Sequence, residues 1–77
     1  MIRLYSCSAI LTRTRHERDG VHNDIHLTNG SVVAASEAEA EGLFVARAMA
    51  ATPGFALAKL VIEAVPMEVV KAIVAQA

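Results

Sequence analysis

His22, Asp24 and His26 stand at alternate positions inside "GVHNDIHLTNG" and are the residue types that bind zinc or another divalent ion. Their spacing decides what they can do. On a strand, same-face neighbours stand about 7 Å apart and residues four apart about 13 Å, whereas zinc needs every ligand at about 2 Å. A metal therefore requires a further ligand from another segment, such as His16, and the favoured reading is a solvated strand face. No metal, cofactor or catalytic residue is assigned.

The second group able to do chemistry is cationic. Arg13, Arg15 and Arg18, with Arg3 and His16 nearby, make the one concentration of positive charge. Alternation puts Arg13 and Arg15 on one face, where a guanidinium fork pairs with a phosphate or a carboxylate. Glu17 and Asp19 lie in the same turn, and Tyr5 is nearly the only aromatic residue near by, which is poor for stacking bases. Cys7 sits among strand residues and reads as a small buried hydrophobe. Glu37, Glu39 and Glu41 read as capping and dipole-complementing charges at a helix start. No phosphate-binding glycine loop, paired-cysteine motif or recognisable nucleophile motif is present, so a non-enzymatic protein is expected.

The elements that position these residues follow from local patterns. Ile2, Leu4, Tyr5, Cys7, Ala9, Ile10 and Leu11, followed by Thr12 and Thr14, predict an extended strand, with a phase change near Leu4 and Tyr5 that allows a bulge. Asp19-Gly20 ends "RHERDG" in a chain reversal. Val21, Ile25 and Leu27 then alternate with His22, Asp24, His26 and Thr28, predicting a second strand whose histidine face is wet. Asn29-Gly30, between "DIHLT" and "SVVAA", predicts a two-residue hairpin turn leading to a third strand through Val32, Val33 and Ala34.

Ser36 with Glu39 forms a capping box, so a helix is expected from residue 37 to about residue 51, stopped by Thr52-Pro53-Gly54. On a helical wheel Leu43 and Phe44 fall away from Val45 and Met49, so one sheet face cannot cover them all. Val61, Ile62 and Val65, with Lys59 and Glu63 alternating, predict a last strand ending before Pro66. Pro66 suits the first position of a closing helix carrying Val69, Val70, Ile73 and Val74 and ending at Ala77. The fold class is α+β: an antiparallel sheet of three to four strands, one Ala-rich helix packed on it and a short C-terminal helix, in a single domain over residues 1–77.

Composition bounds the function. A chain of 77 residues buries only about 60% of the surface its unfolded form exposes, which disfavours a deep active-site cavity. Its formal charge of −1 gives no global pull toward nucleic acid or anionic lipid. One cysteine excludes an internal disulfide and suits a reducing compartment. The start "MIRLYSC" has no secretory pattern, no apolar run is long enough to span a membrane, and the chain reads as soluble and cytoplasmic.

The order of elements is similar to that of small proteins of bacteriophages and mobile elements. The run "NGSVVAASEAEAEGLFVARAMA…VIEAVPMEVV" resembles the turn, helix and last strand of type I anti-CRISPR proteins, particularly small type I-F inhibitors. The likeness covers roughly the C-terminal two thirds, and "RTRHERDG" has no counterpart in it. It implies a non-catalytic inhibitor acting in a bacterial host, which docks on a CRISPR surveillance complex or its nuclease and blocks DNA or nuclease access. The expected contact surface, read from the residues, is Arg13, Arg15, His16, Arg18, His22, Asp24 and His26. The second reading is a regulatory or structural phage protein that self-associates through spare apolar helix surface, or that contacts nucleic acid through the arginine hairpin.

Overall fold

A computed structural model describes residues 1–76; the expected end of the last helix at Ala77 lies outside the described residues. The elements are β1 (Arg3–Glu17), β2 (Gly20–Ala34), α1 (Glu37–Ala51), β3 (Ala56–Ala64) and α2 (Met67–Gln76). The class is α+β, with a three-stranded antiparallel sheet in the order β2-β1-β3 and two helices. No helix among the described residues is long and apolar enough to cross a membrane.

β1 and β2 pair without a register shift, from Arg3 opposite Ala34 to Glu17 opposite Gly20. The reversal takes only Arg18 and Asp19, and Gly20 adopts φ +133°, a left-handed value that only glycine takes without strain. Two expectations are corrected by this pairing. No bulge interrupts β1 near Leu4 and Tyr5; the sheet's one irregularity is in the β3 pairing, between Ile10 and Leu11.

Asn29 and Gly30 do not turn the chain. They lie inside β2, opposite Ser8 and Cys7, and Gly30 has no positive φ. A turn there would leave four residues, Ser31 to Ala34, to pair before the helix cap, and β1 would lose its partner along half its length. The continuous strand gives every residue of β1 a partner in the ladder, and satisfying that many backbone groups outweighs a local turn preference.

Side chains alternate, so an unbroken register fixes two faces. The covered face carries Tyr5, Cys7, Ala9 and Leu11 of β1 with Val32 and Ala34 of β2, all buried. On it lies α1, burying Ala40, Phe44 and Ala48 at helical spacing, with Leu60 and Ile62 of β3 closing the side of the core. Leu43 points away and is 47% exposed, as its wheel position requires.

α1 begins where expected. Ser36 is extended, at φ −151° and ψ 162°, and its hydroxyl accepts from the Glu39 N–H at 3.1 Å. At the other end the Thr52 amide and hydroxyl both donate to the Ala48 carbonyl. Gly54 then takes φ +85° and turns the chain into β3. α2 differs from α1 in that none of its residues is buried.

Candidate functional site

β3 pairs with β1 only from Tyr5 to Thr12, so β1 and β2 run on beyond it as a two-stranded arm. A strand of 15 residues spans about 50 Å, which accounts for the 55 Å long axis of the molecule. The cationic residues lie on this arm. Register places Arg13 opposite Asp24 and Arg15 opposite His22, all on the face that α1 covers farther along.

Asp24 is the centre of the group. Its Oδ2 accepts from Arg13 Nε at 3.0 Å and Nη2 at 2.8 Å, and from Arg15 Nε at 2.7 Å, while Oδ1 accepts from Arg15 Nη2 at 3.2 Å. Hydrogen bonds from Arg15 and then from Arg13 hold the Asp24 carboxyl down at about 2, and the Arg15 guanidinium is raised in turn by its bonds to Asp24. Arg15 also pairs with Glu17, and His22 Nε2 lies 3.0 Å from Asp19 Oδ1.

Phe55, in the loop between α1 and β3, anchors the base of the arm. The Arg13 guanidinium carbon lies 4.8 Å from its ring centroid, and the His26 ring meets it edge-on with centroids 6.2 Å apart. Sequence reasoning missed this residue, because its neighbours come from strands more than 25 positions away. The remaining signal was a lone aromatic side chain directly after Pro53-Gly54.

The expected surface is thus partly assembled. Arg13, Arg15, His22, Asp24 and His26 share one face, Arg18 is in the turn, and His16, opposite Val21, points from the other face. His16 therefore cannot join His22 and Asp24 around an ion. The group that gathers at the tip is a different one, Glu17, Asp19 and His22, whose ligand atoms lie within 4.8 Å of one another. Its carboxylates already serve Arg15 and His22, so it reads as ion pairing at an exposed turn.

No family model, curated protein or solved structure matches this chain.

The strongest departure from the expected surface concerns the other face of β2. Val21, Ile25 and Leu27 were expected to be covered and their polar neighbours wet. Instead Ile25 and Leu27 are 69% and 70% exposed, on the sheet face opposite α1. Leu27 stands directly across from Ile10, and Val61 of β3 completes a shallow apolar groove with them. Cys7 lies on the covered face instead, where burial raises its thiol against the opposing effect of Arg47.

Proposed function

We propose that this chain is a non-catalytic binding protein that docks the two-stranded arm of its hairpin on another macromolecule. The carrying observation is the Arg13–Asp24–Arg15 cluster. Two guanidinium groups converge on one carboxylate on an arm with no third strand beside it, held in place by Phe55. Side chains fixed in this way lose little entropy when a partner engages them.

Charge selects the kind of partner. Arg13, Arg15 and Arg18 are balanced by Glu17, Asp19 and Asp24, so the arm is formally neutral with its histidines uncharged. Binding to a phosphate backbone draws on an excess of cationic groups and the counterions they release. A neutral arm of alternating charges suits a protein surface, to which it offers both donors and acceptors.

The sharper form of the reading follows the resemblance of the helix and last strand to those of type I anti-CRISPR inhibitors, the turn in that likeness being a strand segment here. The partner is then a subunit of a CRISPR surveillance complex or its nuclease, the protein acts in the bacterial cytoplasm without a cofactor, and occupancy blocks DNA or nuclease access. The test is binding of the full chain to a purified type I surveillance complex, with target-DNA binding by that complex as the second readout. Retention on the complex and loss of DNA binding are expected, both abolished by the double substitution Arg18→Glu, His22→Glu at the arm tip. An intact protein that neither binds nor inhibits refutes the anti-CRISPR form. Binding unchanged by the tip substitutions refutes the arm as the contact.

A further inference from the structure

The single chain is not compact. Its radius of gyration is 15.9 Å, against about 11.5 Å for a compact domain of this length. Its accessible surface is 5486 Å², roughly 950 Å² more than a folded monomer of its mass presents. A standard protein interface removes about 800 Å² from each partner, so the surplus matches one interface.

Much of the exposed apolar surface is in two places. One is the open sheet face, with Ile10, Ile25, Leu27, Val33 and Val61 among serines, threonines and Asn29. Where the sheet is three strands wide, its charged groups are Lys59 and Glu63, of opposite sign, and the face is neutral. The other is α2, ten residues long, with Met67, Val69, Val70, Ile73 and Val74 within an arc of about 160°. A helix this short is marginal in water unless an apolar face is packed, yet none of its residues is buried.

We propose that the open face of the sheet is a homodimer interface, on which a second copy lays the same face about a two-fold axis. Two sheets stacked about 10 Å apart bury their inner faces as the core of a β-sandwich. A second copy is the occupant because the face is neutral and carries apolar side chains around a shallow groove, so it offers the same surface to itself that an isologous contact needs. The dimer gives six strands a shared core. It leaves the Arg13–Asp24 side of the arm outside the interface, so this inference stands apart from the proposed docking function.

Sedimentation equilibrium of the full chain tests it, with the double variant Ile25→Glu, Leu27→Glu beside the natural protein. Both side chains are about 70% exposed in the single chain, so the substitutions spare the monomer's own core. The natural protein is expected at twice its chain mass of 8.2 kDa, and the double variant's dimer dissociation constant is expected to rise at least about tenfold. Should the variant fail to fold without its partner, the concentration dependence of the natural protein's Tm decides, rising with concentration for a dimer and flat for a monomer. A monomer at hundreds of micromolar overturns the proposal. So does a dimer that survives the double variant but is lost on Ile73→Glu, which assigns the contact to α2 instead of the sheet.

Discussion

Gly30 stands opposite Cys7 in the middle of the β1–β2 ladder, beneath the Phe44 ring of α1. A glycine that sequence patterns assign to a hairpin turn is instead a strand residue under a helix. Its conformation is one that any residue adopts, so its value lies in the space above it and not in its backbone freedom.

That placement separates two glycines experimentally. A Cβ at Gly30 would meet Phe44 Cε1 at 3.6 Å and Arg47 Nη1 at 3.7 Å, which is ordinary contact. Gly30→Ala is therefore expected to leave stability unchanged or raise it by about 0.4–1 kcal/mol, through the lost freedom of the unfolded chain. Gly20→Ala has open space around it but φ +133°, and is expected to cost about 1–3 kcal/mol. Urea melts of the two variants check this, and a Gly30→Ala variant as damaged as Gly20→Ala would reinstate the turn.

Acid should loosen the arm through Asp24. Its carboxyl titrates near 2 in the folded protein, below its ordinary unfolded value of about 3.9. A depressed folded value means that the unfolded chain takes up the proton first, so the stabilisation is full above about pH 4 and is lost as pH falls toward 2. Amide exchange of Arg13 to Asp24, followed between those limits, should accelerate in the natural protein. In Asp24→Asn, which lacks this carboxylate and keeps only Glu17 and Asp19 on the arm, the acid-dependent step should be smaller. An equal acceleration in both proteins contradicts the assignment.

Leu11 is fully buried, with Leu57 of β3 and His26 of β2 on either side of it. Leu11→Ala is expected to cost about 2–5 kcal/mol by leaving a cavity. A chain of 77 residues has roughly 4–12 kcal/mol of stability in all, so thermal melting should show a strongly destabilised or unfolded variant. A fall in Tm of only a degree or two would mean that the core lies elsewhere.

Local chemistry made several elements legible. Ser36 and Glu39 marked the start of α1, Thr52-Pro53-Gly54 its end, Pro66 the break before α2, and Asp19-Gly20 the hairpin reversal. Each signal acts within a few residues, through a cap, a missing amide donor or a positive φ, and tertiary contacts had no reason to oppose it. The shared face of Arg13 and Arg15 was equally readable, because alternation in a strand is local. That Asp24 would join them was not, since it depends on which residues of β2 lie opposite.

One long-range choice decided the rest. Had the chain turned at Asn29-Gly30, Leu27 would lie opposite Val32 and Ile25 opposite Ala34, gathering the apolar residues on one face. In the continuous strand an odd-numbered and an even-numbered residue cannot share a face, so Val32 and Ala34 go beneath α1 while Ile25 and Leu27 go outward. The sequence by itself determined the ends of α1, the reversal at Asp19-Gly20 and the break at Pro66. The pairing of fifteen residues of β1 with fifteen of β2 decided which side chains are inside, because register is a property of two segments together and neither encodes it alone.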